Sequence, residues 1–306
     1  MTALVLTCPQ DVTADMVIDH LNRAGVPVFR VDPEDFPRVV KLTAICRGSQ
    51  IEGQIAYGTR TVDLQDIRSV WVRRPGPPGT GAAVQRKWVE HESTHAFYGV
   101  LQALRAVKWM NWLPSQRAAS YKVAQLRWAL DCGMTVPSTL VTNAAAAATH
   151  FAEGGPVVCK AVSGRQPDDP PMMLPTSPVP KGTDFSSAPL GPVCLQHRIP
   201  KVADVRLTVV GGTQFCAIAD TGEVLDWRFE FEAEQAPWKP VVPPQPITEQ
   251  VHDFMGHASL AYGALDFAVD AEGTWTFLEC NPAGQFGFIE LATQQPIAHT
   301  IAEWLT

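Results

Sequence analysis

Residues 263–290, GALDFAVDAEGTWTFLECNPAGQFGFIE, carry two β-prone runs, Ala264–Val269 and Thr274–Cys280, on either side of Asp270-Ala271-Glu272-Gly273. Turn residues between two such runs specify an antiparallel hairpin. With a simple four-residue loop Val269 faces Thr274 and Asp266 faces Phe277, and period-two alternation then sets Asp266 on the sheet face of Glu279 and Asn281. An acid on one strand with an acid and an amide on the next make a hard, oxygen-rich set suited to Mg2+. Acidic hairpin residues are also commonly solvated, and a slip of one residue in register moves Asp266 to the other face, so spacing alone leaves both readings open.

The 306 residues are enough for one large domain or two to three small ones. Lys and Arg total 24 against 31 Asp and Glu, a net charge of -7 that argues against nucleic acid as the main ligand. No run of 18 apolar residues suggests a membrane span, and the first residues lack a secretory pattern, which points to the cytoplasm. Seven Cys without a CxxC pair fit neither a disulfide framework nor a zinc site. Cys280, between Glu279 and Asn281, is expected on the opposite sheet face.

From the N-terminus, Ala3–Cys8, a helical period over 11–25 and Val26–Val31 make a β-α-β opening without G-x-G-x-x-G, which disfavours a dinucleotide cofactor. Val39–Cys46 and Ile51–Tyr57 read as a hairpin, followed by a strand over 69–73 that ends in Arg73-Arg74. Paired Arg there suit either a carboxylate or phosphate ligand or a salt bridge. A helix is expected over 82–107 and another from Pro114-Ser115 to Gly133, with Lys122 inside it. Lys160 lies in an apolar strand over 157–162, where a cation is costly unless it is paired or snorkels to solvent. Residues 163–192 are Pro-rich without a sustained period. Phe215–Ala219 and Val224–Phe231 suggest a hairpin, 237–246 a linker, and 248–260 and 296–305 two helices.

Asp266 on one strand and FLECNP (277–282) on the next resemble the magnesium-binding end of ATP-grasp ligases. LQHRIPKVADVRLTVVG (195–211) resembles their adenine-binding hinge and the following Asp-x-Arg strand. VWVRRP (70–75), WMNWLPSQRAASYKVAQL (109–126), VPSTLVTN (136–143) and NPAGQFGFIELATQQPI (281–297) narrow the likeness to the ribosomal-peptide maturases, the graspetide or microviridin-type macrocyclases. The resemblance implies an α/β fold with α+β lobes: a pre-ATP-grasp domain over 1–113, a central small lobe over 114–195 and a C-terminal ATP-grasp lobe over 196–306.

It further implies ATP and Mg2+ as cofactors. Lys122 and Lys160 would meet phosphate, Gln196, His197, Ile199 and Lys201 would form the adenine site, and Asp266, Glu279 and Asn281 would hold Mg2+. Arg206 and Arg228 would act catalytically, on the transferring phosphate and on the substrate carboxylate. Related ligases often carry Glu at the position of His197, and residues 163–192 depart from a compact glycine-rich phosphate loop, so no lid residue is assigned. The implied substrate is a ribosomal precursor peptide with leader and core, the leader docking beside Asp226–Phe231, and the implied assembly is a homodimer with neither nucleic acid nor membrane as partner. Phosphorylation of an Asp or Glu side chain would be followed by attack of Ser, Thr or Lys of the same peptide. A ligase adding a free amino acid, and a non-catalytic nucleotide- or peptide-binding module, are the rival readings.

Overall fold

The computed structural model describes all residues except 49, 81–83, 164–173 and 228–237. It divides into two compact units, 1–113 with 296–306, and 114–295. Among the described residues no helix is long and apolar enough to cross a membrane.

In the first unit, β1 (Thr2–Thr7), α1 (Val12–Arg23) and β2 (Val28–Val31) form the expected opening, with β1 and β2 parallel. Helix α1 buries Thr13, Ala14, Val17 and Leu21, one helical stripe, while Val12 faces solvent. A three-stranded antiparallel sheet follows: β3 (Lys41–Arg47), β4 (Gln50–Tyr57) and β5 (Arg60–Asp63). Next come β6 (Ile67–Arg74), α2 (Arg86–Gln102) and β7 (Lys108–Met110), and the parallel sheet has the order β2-β1-β6-β7. Arg73 at the end of β6 is buried with Asp11, Nε to Oδ2 3.4 Å, so the salt-bridge reading of this arginine holds.

The second unit opens with α3 (Leu113–Ala118) and α4 (Lys122–Asp131), where sequence periodicity suggested one helix. The break at Ala119–Tyr121 makes Lys122 the first residue of α4 instead of a mid-helix residue. A four-stranded antiparallel sheet, ordered β10-β9-β11-β8, uses β8 (Thr139–Thr142), β9 (Val157–Lys160), β10 (Ser177–Pro178) and β11 (Val193–His197), with α5 (Ala145–Glu153) against β8 and β11. A five-stranded antiparallel sheet, ordered β14-β13-β12-β15-β16, uses β12 (Lys201–Val210), β13 (Thr213–Ala219), β14 (Lys239–Pro240), β15 (Tyr262–Asp270) and β16 (Trp275–Asn281). Helix α6 (Gln245–Ala258) buries Val251, Phe254, Met255 and Ala258 in the core beneath this sheet, together with Val205, Leu207, Phe267 and Phe277. Helix α7 (Gly287–Thr293) follows β16.

Two expectations change here. The hairpin over 215–231 does not form within its described part: β13 pairs with the distant β14, and residues 221–227 contain no strand. The last residues were expected with the C-terminal lobe, yet α8 (Ile297–Leu305) packs on α1 and β6 of the first unit. It buries Ile297, Ala298, Ile301, Ala302 and Leu305, and the Ser69 hydroxyl donates to the Leu305 carbonyl at 2.7 Å.

Candidate active site

The turn joining β15 to β16 is fixed by Asp270, whose Oδ1 accepts from the N–H of Glu272 (3.1 Å) and of Thr274 (2.7 Å), with Gly273 at φ +81°. The register beyond it differs from that of a simple loop: Val269 faces Trp275 and Phe267 faces Phe277. An unbroken ladder would then oppose Asp266 to Leu278 and turn Glu279 to the other face. Instead the register shifts between Phe267 and Asp266, Leu278 becomes the extra residue of a bulge, and Glu279 stands opposite Asp266. Bulges re-aim side chains in this way, and here the re-aimed group is a carboxylate. Cys280 points into the core, where burial pushes its thiol pKa well above the ordinary range.

On the other side of Asp266, β12 presents Arg206 directly across the ladder. Arg206 Nε and Nη2 donate to Oδ1 and Oδ2 of Asp266 at 2.6 and 3.2 Å, its Nη1 donates to the Gln285 carbonyl at 3.0 Å, and its guanidinium lies 5.5 Å from the Phe288 ring. The Gln285 carbonyl is reached through a close turn at Gly284, where a Cβ would sit 2.5 Å from that of Ala264. Beyond Glu279 stands α4, with Lys122 Nζ 3.0 Å from Glu279 Oε2. Arg206, Asp266, Glu279 and Lys122 therefore form one row across three strands and a helix end.

The row lines a cavity of about 330 Å3, with Lys160 of β9 and Asn281 of β16 also in its wall. Burial would raise the Glu279 pKa, but Lys122, Lys160 and Arg206 together hold it below the usual carboxylate range. Burial pushes Asp266 up, against the pull of Arg206. Burial also opposes the charge of Arg206, yet Asp266 holds its pKa above the ordinary value. Lys160 is pulled down by burial, with Glu279 working against the shift and Lys122 adding to it.

Other expected residues lie elsewhere. Gln196 is buried and donates to Thr139 Oγ1 at 3.0 Å, His197 stacks on Phe151 at 4.5 Å, and Ile199 is half-buried; none of the three lines this cavity. Lys201 reaches it only through Asp204, whose Oδ2 accepts from Lys201 Nζ and from Thr221 Oγ1 (2.6 Å). Arg228 lies outside the described residues, as does most of the segment expected to dock a leader; its neighbours Asp226 and Trp227 line the cavity. Asp204, Asp226 and Trp227 were not among the expected catalytic, nucleotide or metal residues, although Asp204 opens the Asp-x-Arg motif and Asp226 and Trp227 begin the stretch expected to dock a leader. The Asp204–Arg206 spacing, which puts both on one strand face, was the available signal for the first.

Among the described residues no cluster of three His, Cys, Asp or Glu side chains gathers; the expected oxygen donors, the carboxylates of Asp266 and Glu279 and the amide of Asn281, line the cavity together with the carboxylates of Asp204 and Asp226. The Asn281 Oδ1 accepts from the Ala283 N–H at 3.0 Å, which fixes the amide and leaves the oxygen a second lone pair. This hard donor set fits Mg2+.

Residues 2–117 match the family model described as the MvdD pre-ATP grasp domain. The crystal structure of macrocyclase MdnC bound with precursor peptide MdnA, from Microcystis aeruginosa MRC, is similar over 100% of this chain and 99% of that one, with 28% identity and a TM-score of 0.87. The chain is an ATP-grasp ligase, similar over its whole length to solved macrocyclases. Macrocyclase MdnB of the same organism is similar at 27% identity and TM-score 0.85, over 100% of this chain and 98% of that one. The Chryseobacterium gregarium RiPP-associated ATP-grasp ligase, in complex with ADP and a leader and core peptide, is similar at 25% identity and TM-score 0.90, over 99% and 96%. No curated protein sequence matches the ligase. Its first unit corresponds to the pre-ATP-grasp domain, and the row of charged residues belongs to its second unit.

Proposed function

We propose that this ligase uses ATP to phosphorylate Asp or Glu side chains of a ribosomal precursor peptide, and that Ser, Thr or Lys side chains of the same peptide then attack the acyl phosphate to close ester or amide rings. The observation that carries this reading is the gathering of three cations, Lys122, Lys160 and Arg206, with Asp266, Glu279 and Asn281 around one cavity, in a chain similar throughout to macrocyclases and to a ligase in complex with ADP and peptide.

Phosphoryl transfer needs positioning and charge compensation more than enzyme covalent chemistry. Lys122 and Lys160 hold the nucleotide phosphates in this assignment, and the β11–β12 hinge, with Gln196, His197, Ile199 and Lys201, takes the adenine. Arg206 stays charged through its pairing with Asp266 and presents a planar donor to the reacting phosphate oxygens. Arg228 is assigned to the substrate carboxylate. Asp266, Glu279 and Asn281 would hold Mg2+, which would supply charge neutralisation for phosphoryl transfer. The reaction is placed in the cytoplasm, where ATP and newly made peptide are both available, and the three-part division at 113 and 195 remains part of this reading.

The test incubates the ligase with ATP, Mg2+ and a candidate precursor rich in Thr or Ser and Asp or Glu, followed by mass spectrometry. Loss of one water per ring with matching ADP formation is the expected result. A product heavier by an amino acid would replace this reading with that of a free amino-acid ligase, and nucleotide binding without ADP formation for every peptide would leave only a binding module. Full-length precursor, core alone, and core with leader in trans then measure leader dependence, with core alone expected to react poorly.

A further inference from the structure

We propose that Gln125 is a positioning residue that sets the separation of Lys122 from Glu279; this rests on the reading of that pair as nucleotide- and metal-binding groups. Strand β16 is the edge of the five-stranded sheet, so one side of its backbone has no neighbouring strand. The α4 segment covers that side at two points. After the helix, Thr135 bridges to Thr276, and its carbonyl accepts from the Phe277 N–H at 2.9 Å. Within the helix, Gln125 uses its carboxamide as one rung of a ladder: Oε1 accepts from the Cys280 N–H at 2.8 Å and Nε2 donates to the Cys280 carbonyl at 2.8 Å.

The bulge residues Leu278 and Glu279 lie between these two points. A bulge locally removes ladder hydrogen bonds, so the strand is least constrained where it carries the carboxylate. Gln125 fixes the residue immediately after it. The same Nε2 also donates to the Ala119 carbonyl, in the break between α3 and α4 that makes Lys122 the first residue of α4. Lys122 and Gln125 are three apart and share a helix face. A cation at the first position of a helix is disfavoured by the helix dipole, so Lys122 is not there for the stability of α4. One side chain, 3% exposed, thus ties the element carrying Lys122 to the element carrying Glu279.

A purely structural role would also explain a buried, fully bonded amide, and the two are separated by a double-mutant cycle. Affinity for ADP with Mg2+ is measured by calorimetry for Gln125→Met, Lys122→Met and the double variant, with thermal melts confirming that each is folded. Gln125→Met keeps the side-chain length and removes all three hydrogen bonds. Each single substitution is expected to weaken binding about tenfold, and the double to bind within about twofold of Lys122→Met alone, because the Gln125 contribution passes through Lys122. Losses that multiply in the double, or wild-type affinity for Gln125→Met, would overturn the positioning role while Lys122 kept its own. Wild-type affinity for Lys122→Met would instead overturn the nucleotide reading of Lys122 and the proposal with it. Should Gln125→Met not fold, Gln125→Asn, which keeps the amide one methylene short, enters the same cycle with the same criteria and a smaller expected loss.

Discussion

Among the described residues, the arginine–aspartate pairs Arg73–Asp11 and Arg206–Asp266, one in each unit, are built differently. Arg73 and Asp11 have side chains only 1% exposed, lie 3.4 Å apart, and share their surroundings with the Thr7 hydroxyl, which donates to Asp11 at 2.8 Å. Arg206 and Asp266 are 10% and 24% exposed, meet through two hydrogen bonds, and open onto a cavity where Glu279, Lys122 and Lys160 continue the charge pattern. A sealed pair has no route to a ligand, so its worth is structural: loss of one partner strands a charge. An open row with two carboxylates between two cations can exchange partners with a ligand in the cavity. Access and continuity, more than the identity of the residues, separate the two.

The largest effect expected from that contrast is on the open row. Glu279→Gln should lower ADP formation by about a thousandfold or more, since the carboxylate loses its charge with almost no change in volume. Its melting temperature should move by no more than about 2 °C, because the lost partner, Lys122, is 25% exposed and can be solvated. A coupled ADP assay with a thermal melt checks both, and near-normal turnover at saturating Mg2+ would break the comparison at its functional end.

Arg73→Met should do the reverse, costing roughly 3–5 kcal/mol in denaturant unfolding by stranding Asp11, while affinity of the folded protein for ADP stays unchanged. An equal loss of affinity would mean that the sealed pair is not merely structural. Lys160→Met should weaken ADP binding about tenfold and leave stability equal or improved, since a half-buried cation is a liability in the empty protein. The smallest effect is in pH. The folded-state pKa of Lys160 lies below the usual lysine value, so its destabilising contribution is fully present below that depressed pKa and is relieved as pH rises from there to the ordinary lysine range. Across the same window ADP affinity should fall as the cation is lost. Both slopes should be absent from Lys160→Met, measured by melts and calorimetry against pH.

The hairpin of β15 and β16 was legible because Asp270 and Gly273 announce their turn chemistry locally. Its register was not. A simple loop opposed Asp266 to Phe277, whereas Phe267 holds that place, and the shared face of Asp266 and Glu279 is restored only by the bulge at Leu278, a residue with no special backbone signature. The break at Ala119–Tyr121 lacks Gly or Pro and depends in part on the distant Gln125 amide, so periodicity ran through it as a single helix. Within its described part the hairpin expected after β13 does not form, for a related reason: β13 lies between β12 and Lys239–Pro240, and the second pairing spans more than twenty residues of sequence that local pattern does not record. Residue type and alternation were readable wherever the determining contacts are local, and unreadable wherever a side chain far along the chain completes the geometry.

The packing of α8 on α1 and β6 bears on how the protein is made. The first unit starts with residue 1 but lacks the helix that covers it until Ile297–Leu305 has been synthesised, and its Ser69 hydroxyl waits 236 residues for the Leu305 carbonyl. Domains ordinarily fold in the order in which they leave the ribosome. Here the second unit, 114–295, is complete while the first still exposes the surface that Ile301 and Leu305 will cover, so the unit begun earliest is closed last.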